Sequence, residues 1–417
     1  MRIKNKLIYY ILCAYVILIP IIPNGLKLNI IPKIHEIPPF GISLLALLIL
    51  IFFISAVKNW RGFIGNLKDF STDFLGISML ALLGIMVISI FYASYRMIAI
   101  TESARFLSYV LLYIIIKYNM DNNQVKGIIN SYLFTFTVIN IYGIFQKITG
   151  FALLSGYAVP GTNILRTNAT FDNPNTFAAF LLIGAFPVLM MIVKGKNIIS
   201  KSIFTIIFVM TLCNISFTGS RNSYLALAVG AVILAVIYSW YFLIGLGGIV
   251  GIAFAIPMVN TRLFQIGKGS IDAGRIHIWK TALKMIQEHP LLGVGNGNFT
   301  ELYDTYVAKY KYLRYLNYSH YPSHNAYLKI ESELGVVGGI SFIAIILGAI
   351  IKVKSVIKNI EDKDLKLFYI GFFASMIGFF FMNLLESLFT VPEVVAYFWI
   401  FLACADALLY RERTNTY

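Results

Sequence analysis

Arg221, Arg275 and His324 are the residues of this chain whose types and positions could do chemistry. Arg221 stands in Phe217-Thr218-Gly219-Ser220-Arg221-Asn222, where two apolar runs meet. A guanidinium keeps its charge and must be paired or solvated, so at such a junction it either marks a functional site or snorkels toward lipid phosphates. Arg275 opens a helical pattern, and the helix dipole disfavours a cation there. That local cost fits an anionic ligand; a plain surface arginine fits equally. His324 lies just ahead of an apolar run, where an imidazole suits a general base near neutral pH or a structural role. His277, His289 and His320 compete with it on chemistry alone.

The motifs cluster between Arg275 and Gly339. Gly274-Arg275-Ile276-His277-Ile278-Trp279 is followed by His289-Pro290-Leu291-Leu292-Gly293-Val294-Gly295-Asn296-Gly297-Asn298-Phe299, then by Ser323-His324-Asn325-Ala326-Tyr327 and Glu333-Leu334-Gly335-Val336-Val337-Gly338. Eight tyrosines fall between Tyr303 and Tyr327. They read as an aromatic belt at headgroup level, as flat amphipathic surfaces for a sugar polymer, or as both. No His-Glu-x-x-His spacing occurs, and Cys13, Cys213 and Cys404 are too far apart in sequence to share a metal, so no metal site is expected. The glycines at 293, 295 and 297 follow a helical pattern rather than a strand, which excludes a dinucleotide fingerprint. Glu102 and Arg105, one helical turn apart, read as a structural pair that neutralises itself.

The elements that must position these residues are membrane spans. With 59% hydrophobic and 13% charged residues and a mean hydropathy of +0.77, the chain is far from soluble domains, which carry about 25% charged residues. Twelve apolar runs are long enough to cross roughly 30 Å of hydrocarbon: 7–23, 39–57, 74–94, 97–116, 126–146, 175–193, 202–217, 222–239, 241–258, 335–351, 367–385 and 391–410. The expected fold is therefore an all-α polytopic membrane protein of about 12 transmembrane helices, a single integral membrane domain over 1–417. With the N-terminus inside, the cytoplasmic segments hold eighteen Lys and Arg and the short outer ones six. That bias puts both termini in the cytoplasm and the 259–334 loop outside. The net charge of +15 is dispersed over many loops, so it reads as a topology signal and excludes nucleic acid as a partner.

The 259–334 loop, at roughly 75 residues, is too long to be a mere connection. Ile276, Trp279, Leu283 and Ile286 recur at helical spacing with Lys280, Lys284 and Glu288 opposite, which predicts an amphipathic helix on the outer leaflet, started by Asp272 as N-cap and ended by Pro290. The other outer segment, 147–174, is rich in turn residues and leads into the sixth run.

In order and spacing, the Gly219-Ser220-Arg221 segment, the Arg275-x-x-Ile278-Trp279 helix running into Pro290-Leu291-Leu292-Gly293-Val294-Gly295, the His324-Asn325-x-Tyr327-Leu328 motif and Glu333-Leu334-Gly335 resemble the O-antigen ligase and polymerase superfamily of bacterial envelope glycan transferases, over residues 171–345. Members of that superfamily move a glycan from an undecaprenyl-pyrophosphate carrier to an acceptor on the outer face of the plasma membrane. The resemblance implies an inverting, metal-independent transferase with no cofactor, its active site on the outer face of the bacterial inner membrane and partly in the 259–334 loop. Arg221 and Arg275 match the arginines that hold the donor pyrophosphate, and His324 matches the histidine that deprotonates the acceptor hydroxyl. Asn325 and Tyr327, from the same motif, complete the implied substrate-binding set. The implied partners are the lipid-linked donor, a glycan, lipid or cell-wall acceptor, and membrane lipids. A ligase is the leading expectation, a polymerase of lipid-linked repeat units the alternative. A flippase or transporter is the competing class, disfavoured because the polar candidates gather at one face and no matched broken helices occur.

Overall fold

The structure, a computed structural model, describes residues 2–21, 46, 49–50, 52–53, 59–153, 155–159, 162, 164–193, 197–255, 259–260, 270–316 and 318–415. Among them there is no strand, only an isolated bridge between Ala158 and Leu165. The helices are α1 (Arg2–Leu18), α2 (Trp60–Thr72), α3 (Phe74–Tyr92), α4 (Arg96–Asn119), α5 (Asn122–Thr149), α6 (Pro174–Val193), α7 (Ile198–Thr218), α8 (Arg221–Ile237), α9 (Tyr241–Ala255), α10 (Ser270–Glu288), α11 (Phe299–Lys309), α12 (Ala326–Asn359), α13 (Lys363–Met382) and α14 (Pro392–Asn415).

Eight of these are long and apolar enough to cross a bilayer: α3 to α7 and α12 to α14. Twelve runs were expected. α1, α8 and α9 coincide with three of the others, and among the described residues they have 17, 17 and 15 helical residues, about 25 Å or less at 1.5 Å per residue. The run at 39–57 lies largely outside the described residues. α2 was not anticipated; it is a short helix capped by the Asn59 side chain and feeds directly into α3.

α14 is the most enclosed span, and α6 and α13 come next. Each is apolar all round, as a helix surrounded by other helices must be. α14 and α6 meet α5 through aromatic rings: Tyr132, Phe136, Phe180, Tyr397 and Phe401 interlock with ring centroids 4.8–6.3 Å apart. α6 begins beside the site, with Asn175 in its first turn.

The long outer loop has a small core of its own. Ile278, Ala282 and Met285 of α10 pack with Val294, Phe299, Tyr303, Tyr306, Val307 and Leu313. Ile276 and Leu283 of the expected lipid-facing stripe are exposed at the protein surface, while Ile278, Ala282 and Met285 turn to this core. Asp272 is inside α10, past its first described residue Ser270, and so does not cap it.

α12 begins nine residues before the expected span, capped by Asn325, whose side chain accepts from Leu328 N at 3.0 Å. It is broken at Gly335, which has φ 65° and ψ −169°. The carbonyls freed by the break, of Ser332 and Glu333, accept from Val294 N at 2.9 Å and Gly295 N at 2.8 Å, and Val336 N donates to Pro290 O at 2.9 Å. A Cβ on Gly335 would lie 2.2 Å from Leu291 backbone, and one on Gly293 would lie 2.3 Å from Glu333 backbone. The Pro-Leu-Leu-Gly-Val-Gly and Glu-Leu-Gly motifs are therefore two halves of one backbone junction. The Glu333 carboxylate completes it by accepting from Gly297 N at 3.0 Å, Phe299 N at 3.1 Å and Lys329 Nζ.

Candidate active site

A cavity of about 180 Å³ opens where α7 meets α8, α12 begins and α13 runs into α14. Arg166, Arg221, Arg275, His324 and Glu386 line it, together with Asn175, Ser220, Asn222, Tyr318 and Tyr321. The three residues singled out by their chemistry, separated by more than a hundred positions, come together there.

Each is placed by local backbone logic. α7 ends on Gly219 in the left-handed region, φ 57°, which reverses the chain so that Arg221 starts α8. The positive end of the α8 dipole therefore faces the cavity. Arg275 lies in the second turn of α10, not at its start. His324 itself has φ 45°, a left-handed conformation that costs a non-glycine residue about 1–3 kcal/mol. Its neighbours enforce that turn: Ala326 N donates to Asn383 O at 2.9 Å and Glu386 O at 3.1 Å, and the Ser323 and Ser387 hydroxyls meet at 3.0 Å.

Glu386 organises the site. Its Oε2 lies 2.9 Å from His324 Nδ1, and its Oε1 accepts from Arg275 Nη2 at 3.1 Å and Asn175 Nδ2 at 2.8 Å. Arg166 extends the network, donating from Nη2 to Asn175 Oδ1 at 2.7 Å and from Nε to Thr218 O. Burial pushes the Glu386 carboxyl up, but the hydrogen bond and charge of His324 and the charges of Arg275 and Arg166 outweigh it, so the group sits below its ordinary value. An ionised carboxylate only accepts, so Nδ1 of His324 is the donor and Nε2 is left as the basic nitrogen. Three guanidiniums thus share the cavity with one carboxylate, which is already bound to one of them. Guanidiniums bind phosphate oxygens bidentately, so this grouping suits a dianionic ligand.

Of the four described histidines, His324 is the one that lines the cavity. His277 stacks on Tyr315 with centroids 5.2 Å apart, exposed His320 pairs with Asp304 at 2.8 Å, and exposed His289 follows the end of α10. Asn325 and Tyr327 are not on the cavity wall. Asn325 is buried as the α12 cap, and Tyr327 OH donates to Phe380 O at 2.9 Å, so both hold the backbone around His324. Glu102 and Arg105 do pair, at 2.9 Å.

Sequence reasoning missed Arg166, Asn175 and Glu386. Glu386 carried a signal, a lone carboxylate in Leu384-Leu385-Glu386-Ser387-Leu388 between two spans, since isolated ionisable groups in apolar surroundings mark sites. Arg166 and Asn175 gave none, because they read as loop polarity.

Residues 206–343 match the family model described as O-antigen ligase. That stretch runs from within α7 past the break in α12 and includes Arg221, Arg275 and His324. The superfamily recognised from the motifs, that of O-antigen ligases and polymerases, is the one this match gives. No curated protein matches the chain.

Proposed function

We propose, from the premise that this is a multi-pass membrane glycosyltransferase with an O-antigen ligase segment over 206–343, that it transfers a glycan from undecaprenyl-pyrophosphate to an acceptor hydroxyl at the outer face of the bacterial plasma membrane. The observation that carries this reading is the convergence of Arg166, Arg221 and Arg275 with the His324–Glu386 pair in one cavity. The arginines hold the donor's pyrophosphate, and the α8 N-terminus adds its dipole. His324 Nε2 takes the proton from the acceptor hydroxyl as its oxygen attacks the anomeric carbon. The carbon–oxygen bond to the carrier breaks, and the electron pair leaves with the lipid pyrophosphate. Guanidiniums bound to its oxygens stabilise that growing charge, so the leaving group needs no proton. Direct displacement inverts the anomeric centre. Glu386 holds the imidazole in the tautomer and orientation the step requires and stabilises the imidazolium that forms. Asn325 and Tyr327 act as positioning residues beneath His324.

The purified protein is to be incubated in nanodiscs with undecaprenyl-pyrophosphate glycan and candidate acceptors, and released lipid pyrophosphate and product size measured. One transfer onto a distinct acceptor identifies a ligase, and a ladder of repeat units a polymerase. No turnover with any acceptor would overturn the reading in favour of transport.

A further inference from the structure

Two polar atoms of the cavity residues have no hydrogen-bond partner in the protein, Ser220 Oγ and Asn222 Oδ1. The two residues flank Arg221 and are only 2% and 4% exposed. Native structures leave few buried polar groups unsatisfied, and each asks for an explanation. Ser220 is the N-cap residue of α8, yet its side chain makes no capping bond, although serine is among the favoured caps. Asn222 has its amide nitrogen committed to Met382 O at 2.7 Å, which fixes the amide and leaves the oxygen unserved.

The missing partner is defined by chemistry. A carboxamide oxygen accepts and cannot donate, so what satisfies Asn222 must bring a hydrogen. An ionised pyrophosphate brings none; a sugar hydroxyl does, and it also accepts, as Ser220 Oγ–H requires. A second feature of the same cavity suits a sugar. Tyr318 and Tyr321 stack with ring centroids 4.1 Å apart and planes 2° apart, and Tyr321 lies 5.6 Å from the His324 ring. A Cβ on Gly274 would come within 2.7 Å of Tyr318, so the glycine preceding Arg275 lets that pair pack against α10. The half-buried rings give the cavity a flat amphipathic wall beside its polar one.

We propose that Ser220 and Asn222 recognise the first sugar of the lipid-linked donor, one of its hydroxyls donating to Asn222 Oδ1 and accepting from Ser220 Oγ while Tyr321 covers the apolar face of the ring. The proposal rests on the cavity being the donor site. It makes Arg221 and its two neighbours a single reader: the arginine takes the pyrophosphate and the flanking side chains take the sugar attached to it.

The test compares full-length protein in nanodiscs for binding of bare undecaprenyl pyrophosphate and of the same carrier bearing a single glucose, galactose or N-acetylglucosamine. Wild type should bind at least one sugar-bearing carrier about tenfold more tightly than the bare one, the worth of one well-made hydrogen bond. Ser220→Ala and Asn222→Ala should each erase most of that preference and leave bare-carrier affinity unchanged within about twofold. Ser220→Ala removes no hydrogen bond made by that side chain, so it remains informative should loss of the Met382 bond impair folding of Asn222→Ala. Preference retained in Ser220→Ala and in a folded Asn222→Ala, or no preference for any of the three sugars in wild type, would overturn the proposal. Absence of bare-carrier binding by wild type would instead overturn the donor reading on which it rests.

Discussion

The two ends of the helix bundle both bury charge, and they do it in opposite ways. At the end away from the cavity, Lys117 contacts Asp69 at 3.0 Å and Asp406 at 3.1 Å, and Lys352 contacts Asp73 and Asp406 at 2.7 Å each. Tyr113 OH and Tyr118 OH donate to the same aspartates. Every cation has two carboxylates, and five helices, α2, α4, α12, α14 and the start of α3, are joined. At the cavity end three guanidiniums share one carboxylate. The first arrangement is complete within the protein and works as a clamp. The second lines an open cavity and sets three guanidiniums beside a histidine and a carboxylate, which distinguishes a site from a strut more clearly than burial or residue type does.

Breaking the clamp should have the largest effect on folding. Asp406→Ala leaves two buried lysines short of a partner, and removing one member of a buried ion network costs about 3–5 kcal/mol. A sharp fall in thermal stability in detergent is expected; an unchanged melting temperature would mean that the two ends do not differ as described. At the cavity, Arg221→Ala should act mainly on function, lowering donor affinity or transfer by about 10²–10³ with a smaller fall in melting temperature than Asp406→Ala, since Arg221 lines an open cavity. Equal destabilisation in both variants would erase the contrast.

Glu386→Gln sharpens the comparison through pH. The folded-state value of this carboxyl lies below its ordinary 4.5, so its contribution to stability is full above that value and is lost as pH falls through the lowered one. The melting difference between wild type and Glu386→Gln should be constant from about pH 8 to about pH 5 and shrink only on further acidification. Shrinkage already near neutrality would show that the site does not hold the carboxylate charged. The smallest effect belongs to neither cluster. Lys309 pairs with Glu288 at 3.3 Å on the surface of the outer loop, with its side chain 59% exposed, and Lys309→Ala should leave the melting temperature close to that of wild type.

Much of this contrast was legible in the sequence, for a physical reason. Arg221, Arg275 and His324 stand out because ionisable groups beside apolar runs are conspicuous, and the eight helices long and apolar enough to span because hydrocarbon demands long uninterrupted stretches. What stayed hidden depends on contacts between distant segments. Glu386 becomes meaningful only when α12 and α13 place it against His324, Arg275 and Asn175. The glycines at 293, 295 and 297 could be read only as no dinucleotide fingerprint, whereas the segment's role is to receive the carbonyls of a helix broken 40 residues later. The second apolar face of α10, Ile278, Ala282 and Met285, went unread because it packs on α11, a contact that periodicity alone does not register. Lys117, Lys352 and Asp406 passed as topology signals and span residues until three spans brought them together.

The central claim separates holding from reacting, and His324→Ala tests it most directly. Donor affinity and transfer rate are to be measured in parallel for wild type, His324→Ala and Arg221→Ala with undecaprenyl-pyrophosphate glycan in nanodiscs. The account predicts that His324→Ala binds donor within about twofold of wild type and loses transfer by about 10²–10⁴, the range for removal of a general base, whereas Arg221→Ala loses affinity as well. Transfer at the wild-type rate by His324→Ala, or an equal loss of donor affinity in both variants, would contradict it.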